Sequence, residues 1–129
     1  MNTFLASASV LLAIIGLVHT MLGEVLIFRR LRKGGLVPTD GGSALRERQV
    51  RILWATWHAV SALAWAMSVM LWQLARTPAP DPLQSQLLAA IAAGSLGASA
   101  LVGIGTRARH PGWIGLLAVA VLVWLALPG

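Results

Sequence analysis

From Thr3 to Phe28 the chain offers only two ionisable side chains, His19 and Glu24, before it meets Arg29 and Arg30. Coiled as an α-helix at about 1.5 Å per residue, a run of that length crosses the roughly 30 Å hydrocarbon core of a bilayer. Any fold must either bury this stretch on all sides or leave lipid to solvate it. Three more apolar stretches follow, Arg51 to Ala75, Leu83 to Gly105 and Trp113 to Leu127. In 129 residues, 57% of them hydrophobic and 11% charged, too little polar surface is available to cover four such helices in water. The expected fold class is therefore all-α, a four-helix transmembrane bundle forming one domain over residues 1–129, with helices at about 3–28, 44–75, 83–105 and 110–127. The segment from Met1 to Ser9 has no Lys or Arg, and the run after it is too long for the apolar part of a signal peptide, so it is read as a retained membrane helix.

The breaks between the helices are legible in residue type. Gly34-Gly35, Pro38 and Asp40-Gly41-Gly42 interrupt the first long connection, and Ser43 is the expected N-cap of the second helix. Thr77-Pro78-Ala79-Pro80-Asp81-Pro82 places prolines at alternate positions, which no helix interior accepts, so a short turn is predicted there. Arg107 to Gly112 is predicted as a second tight turn. The fourth helix, at fifteen residues from Trp113, covers only about 22 Å unless it begins at His110 or the bilayer thins around it.

Charge placement sets the topology. The formal charge of +6 would suggest nucleic acid in a soluble protein, but Arg29, Arg30, Arg32, Lys33, Arg46, Arg48 and Arg51 cluster around one connection, and Arg107 and Arg109 lie in another. Only Arg76 stands apart. That is the pattern of loops retained on the cytoplasmic side, so both basic loops are expected inside, both termini outside, the bilayer is the expected partner, and nucleic acid is not. With no cysteine, the chain has no disulfide, thiolate metal site or cysteine-held cluster.

Small residues mark packing faces. Ser9, Ala13, Gly16, Thr20 and Gly23 fall on one side of the first helix, where a neighbouring helix can approach closely. The third helix carries two such stripes, Ala89, Ala93 and Gly97 on one and Ser95, Ser99 and Gly103 on the other. They serve packing within the chain, a homo-oligomer seam, or docking to a larger membrane complex. On the second helix Arg51, Trp54, His58, Trp65 and Trp72 share a side, whereas Trp57 is expected to point elsewhere. Trp54, Trp57, Trp72 and Trp113 are placed to anchor headgroups; Trp65, in mid-helix, is not.

Ionisable groups within membrane helices are costly and normally face protein or a water-filled cavity. Counted at about 1.5 Å per residue from the basic boundary, Glu24 lies roughly 7 Å deep, His58 about 10 Å and His19 about 15 Å, within one slab if the first two helices are antiparallel. Several uses are open. His19, Glu24, His58 and, nearer the surface, His110 would suit a divalent transition metal. His19 and His58 would also suit a b-type haem, with Trp65 against the macrocycle and Arg51 on a propionate. Alternatively each histidine bonds a neighbouring helix and Glu24 pairs with an arginine at the boundary. Proton transfer by a His-Glu dyad is a further option. Other enzyme chemistry has little support, since the chain lacks a Gly-x-Ser-x-Gly elbow, a His-Glu-x-x-His motif, a phosphate loop and a second intramembrane acid. Four helices without broken segments also argue against a transport path through one protomer.

Three segments, His19-Thr20-Met21-Leu22-Gly23-Glu24, Arg51-Ile52-Leu53-Trp54-Ala55-Thr56-Trp57-His58 and Arg107-Ala108-Arg109-His110-Pro111-Gly112-Trp113, resemble those of small four-helix integral membrane proteins of proteobacteria. The resemblance covers the first, second and fourth helices and implies that the three histidines and Glu24 belong to one pattern. The resulting expectation is a small accessory or structural protein of the bacterial inner membrane, with a His and Glu cluster near the cytoplasmic face that binds rather than turns over a ligand. A haem or metal protein, and a complex subunit docked through the third helix, are the alternatives.

Overall fold

A computed structural model describes residues 1–78 and 81–127; Ala79 and Pro80, at the centre of the expected proline turn, lie outside the described residues. The described structure is all-helical apart from one isolated bridge between Gly41 and Leu45. Helix α1 spans Thr3–Leu22, α2 Glu47–Ala75, α3 Pro82–Gly105 and α4 Gly112–Leu125. Three helical stretches, Thr3–Leu31, Glu47–Ala75 and Pro82–Gly105, are long and apolar enough to cross a membrane, whereas α4 is apolar but has 14 residues. Large side chains such as Leu17, Met21, Leu63, Val69, Leu101 and Ile104 stand exposed on these helices, an exterior that lipid solvates and water does not.

Three helices depart from the sequence reading; the fourth begins at Gly112 rather than His110 and ends at Leu125. The first helix does not continue as regular α-helix to Phe28; after Leu22 it widens into a π turn, Gly23–Ile27, then tightens into a 3-10 turn, Phe28–Leu31. The amide of Phe28 reaches the carbonyls of both Gly23 and Glu24, so one residue is accommodated in a wider coil and the following side chains change phase. The second helix starts at Glu47 rather than Ala44. Ser43 sits in the turn closed by the Gly41–Leu45 bridge and does not cap; the side chain of Gln49 instead accepts from the Arg46 amide at 2.8 Å. Helix α3 begins as its sequence dictates: Asp81 accepts from the Gln84 amide at 2.8 Å, Gln84 accepts from the Asp81 amide at 3.3 Å, and Pro82 occupies the first helical position, where its missing N–H costs nothing.

The chain divides into two compact units, Met1–Ile15 with Trp65–Gly129, and Gly16–Ala64. In the first unit the early part of α1 runs antiparallel to the late part of α2, with the Asn2 amide on the Ala75 carbonyl at 2.7 Å. Ser9 and Ser68 exchange hydrogen bonds, each hydroxyl donating to the other residue's carbonyl at 2.8 Å. Small side chains let these backbones approach, and the reciprocal pair satisfies both hydroxyls without water. Trp65, expected against a macrocycle, donates from Nε1 to the Ala13 carbonyl at 3.2 Å.

Helices α3 and α4 of the same unit bury Leu88, Ile91, Ala92, Ser95 and Ser99 on one side and Val119, Ala120 and Val123 on the other. Ser99 donates to the Trp113 carbonyl at 2.7 Å, and a Cβ added to Gly103 would stand 3.7 Å from Trp113. The Ser95, Ser99 and Gly103 stripe therefore receives α4, while Ala93 and Gly97 of the other stripe are exposed. The turn between the two helices is compact because Arg107 and Ala108 adopt positive φ (52° and 57°), a costly conformation for non-glycine residues. It brings the Ala108 amide back to the Gly103 carbonyl at 2.7 Å.

The α1–α2 contact yields the first prediction. Ser68→Ala should lower stability by roughly 0.5–1 kcal/mol through the lost hydrogen bonds, and Ser68→Leu by about 1–3 kcal/mol through separation of the helices. Thermal unfolding in detergent checks both; equal stability of Ser68→Leu and wild type would show that the helices do not meet there.

Candidate functional site: the Glu24 cluster

In the second unit, Glu24 is carried on the π turn that follows α1, and its carboxylate has three donors. Oε1 accepts from Trp54 Nε1 at 2.8 Å and lies 2.9 Å from His58 Nε2; Oε2 accepts from Arg32 at 2.5 Å. Trp54 and His58 are four residues apart on α2 and so share a face. Arg32 arrives from the basic connection, where its Nε also donates to the Leu36 carbonyl at 2.8 Å. One guanidinium thus joins the carboxylate to the loop backbone. With an ionised carboxylate as acceptor, His58 Nε2 is the protonated ring nitrogen.

Aromatic rings surround the cluster. His19 stacks on Trp57 with centroids 4.2 Å apart and planes 7° from parallel, while Trp57 donates from Nε1 to the His19 carbonyl at 2.9 Å. Phe28, buried, meets Trp57 edge-on at 5.8 Å and tilts against His58 at 6.0 Å, and His58 meets Trp54 edge-on at 4.9 Å. Gly23 makes this possible: a Cβ there would collide with the indole of Trp57. Trp57, expected to point away from the side shared by Trp54 and His58 and to anchor headgroups, instead packs against His19 and Phe28. The packed side of α2 runs through Val50, Trp54, Trp57, Ser61, Ala64 and Ser68 at spacings of four and three, a repeat signalled in the sequence by the small residues Ser61, Ala64 and Ser68.

The connection is held at its base as well. The amides of Thr39 and Asp40 both donate to the Leu31 carbonyl, at 3.0 and 2.9 Å, and Pro38 is buried. Asp40 accepts from the Gly42 amide at 3.0 Å and pairs with Lys33 at 3.1 Å, which together hold its carboxyl below the usual aspartate range. Gly42 allows the turn because its φ is +60°.

Of the residues proposed from sequence, Glu24 and His58 are brought into direct contact, and Glu24 does pair with an arginine, Arg32. His19 is in the same unit, with its ring face on Trp57. Arg51 is engaged elsewhere, in an exposed i,i+4 pair with Glu47 at 2.7 Å. Trp65 and His110 belong to the other unit; His110 Nδ1 accepts from the Gly112 amide at 3.0 Å within its own turn. Among the described residues no three His, Cys, Asp or Glu side chains gather as a metal set. For a haem, His58 would have to surrender the Nε2 bond to Glu24 or ligate through Nδ1. Sequence reasoning missed Phe28, Trp57 and Arg32.

Chemically, the carboxylate has two donors on one oxygen and a guanidinium on the other, an arrangement that holds an anion in place. A general base needs a lone pair aimed at substrate, which this bonding largely consumes. Comparison with protein-family models, curated proteins and solved structures finds no match.

Two predictions follow from the geometry. Glu24→Gln removes the charge that Arg32 pairs with and should cost about 1–3 kcal/mol, whereas in an Arg32→Gln background the same change should cost less, as a double-mutant cycle in detergent would read. For Asp40, a depressed carboxyl value means that the tie to Gly42 and Lys33 is intact above the ordinary aspartate value and lost as pH falls through the lowered one. Carboxyl-carbon NMR should place its midpoint below about 3.9, and Lys33→Gln should move it upward; an unmoved midpoint would refute the pairing.

Proposed function

We propose that this chain is a small accessory or structural protein of the bacterial inner membrane, in which the Glu24 cluster is a lock that ties the basic connection to the first two helices near the cytoplasmic face. The observation that carries the reading is the triple engagement of the Glu24 carboxylate by Trp54, His58 and Arg32. Its partners supply hydrogen bonds to an acid that lipid cannot solvate, and they come from α2 and from the connection. A binding or anchoring role fits this saturated carboxylate better than turnover does.

In this reading the chain crosses the bilayer four times, with termini outside and both basic loops inside, supported by the concentration of Arg and Lys at the two loops. At about 21 Å, α4 is shorter than the hydrocarbon core and spans it by local thinning of the lipid. The resemblance to small four-helix proteins of proteobacteria supports a bacterial inner membrane. A second reading, a subunit of a larger complex, has one observation in its favour: Cβ atoms built on Gly94 and Gly97 of α3 meet nothing within 4 Å.

The absence of cysteine makes the topology easy to test. Single cysteines at Asn2 and Thr77 should react with a membrane-impermeant maleimide in intact spheroplasts, and cysteines at Ser43 and Arg109 only after permeabilisation. Labelling of Ser43→Cys in intact spheroplasts would reverse the orientation. On the same purified protein, a Soret band or a stoichiometric transition metal would replace the structural role with a haem or metal site built on His19 and His58.

A further inference from the structure

The second unit contains seven basic residues and three acids. All three acids are taken: Glu24 by Arg32 at 2.5 Å, Asp40 by Lys33 at 3.1 Å and Glu47 by Arg51 at 2.7 Å. Arg29, Arg30, Arg46 and Arg48 are exposed, and the unit has no carboxylate left to pair with them. They stand at the two mouths of the connection, Arg29 and Arg30 in the 3-10 turn that ends the first apolar stretch, Arg46 and Arg48 at the head of α2. A hollow of about 770 Å³ opens beside Arg46 and Arg48, walled by the turn from Gly42 to Leu45 and by Gln49.

Apolar side chains accompany these charges. Leu36 is 75% exposed in the same connection, and Ile52 and Leu53 are exposed directly after Arg51. A dissolved anion would require the guanidinium groups alone. Unpaired arginine beside exposed leucine and isoleucine matches the boundary where lipid phosphates meet acyl chains, with the guanidinium fork suited to two phosphate oxygens and the leucine to the hydrocarbon beneath.

We propose that Arg29, Arg30, Arg46 and Arg48 form a binding surface for the phosphodiester headgroups of anionic phospholipids, with Leu36 inserted among the acyl chains. The proposal rests on the membrane-spanning reading of the chain and is independent of which side of the membrane the connection faces. Because the ion pairs of Glu24, Asp40 and Glu47 hold the remaining bases in place, the four free arginines present their charge outward to the headgroups rather than folding back onto the protein.

The test uses the full chain reconstituted in phosphatidylcholine vesicles, with and without phosphatidylglycerol. Energy transfer from tryptophan to dansyl-phosphatidylglycerol, compared with dansyl-phosphatidylcholine, gives a relative association constant. Each arginine near the surface contributes about fivefold, so a preference of tenfold or more for the anionic lipid is expected. R29Q/R30Q and R46Q/R48Q should each reduce it, and the quadruple variant should lose most of it. R107Q/R109Q, which removes the same charge from the other basic turn, should lower it less than either pair in the connection does, and L36S should weaken transfer from both lipids. Equal transfer from the two lipids by wild type, or full preference in a quadruple variant of native helix content, would overturn the proposal. So would complete displacement by millimolar inorganic phosphate at matched ionic strength, which would identify a site for the free anion. External labelling at Ser43 with the lipid preference intact would sink the topology alone.

Discussion

An ionised carboxylate inside an apolar helix must find its compensation within the protein, and Glu24 dictates much of what surrounds it. Three donors converge on it, from Trp54, His58 and Arg32, and each has a structural consequence. Trp54 and His58 fix which face of α2 is presented, since a rotation of one residue would swing both away by about 100°. Arg32 draws the connection back, and its second bond to Leu36 carries that constraint into the loop backbone. The local departure from α-helical geometry falls at the same place: Glu24 lies on the π turn, where a widened coil changes the direction of the side chains that follow.

Elsewhere the helices are held by the absence of bulk. In lipid, burial of apolar side chains between helices gains little over their contact with acyl chains, so close approach and a few hydrogen bonds decide which faces meet. Ser9 against Ser68, Gly23 beneath Trp57 and Gly103 beside Trp113 are three forms of that solution. Each places a small residue where a larger neighbour or a backbone needs space. The large aliphatic side chains are left outside, which inverts the layout of a water-soluble core.

Much of this was legible beforehand, and the exceptions have identifiable causes. The small-residue face of the first helix was readable because Ser9, Ala13, Gly16, Thr20 and Gly23 recur at spacings of four and three, and it is the face that meets α2. The proximity of Glu24 to His58 followed from comparable depth on antiparallel helices. The place of Trp57 is not legible from the tryptophans, because Trp54, Trp65, Trp72 and His58 share another side; the signal for it lies in the small residues Ser61, Ala64 and Ser68. Arg32 was one of several basic residues after the first helix, and nothing in their order distinguishes the one that turns back. The start of α2 falls three residues later than Ser43 suggests, because Ser43 has the chemistry of a cap but is held in a turn by a bridge between its neighbours.

Residue types and their spacing alone determined that the chain is helical, that it carries four apolar stretches, where most of its breaks fall and where its positive charge collects. These are properties of single segments, set by hydropathy over about twenty residues, by proline and glycine, and by local charge. Only the tertiary structure decided which arginine answers Glu24, which side of α2 packs, that the first helix passes into a widened turn, and which four arginines of the second unit are left without an acid. Those outcomes depend on distances between residues remote in the chain, where a change of one residue in register exchanges one partner for another without altering any segment's composition.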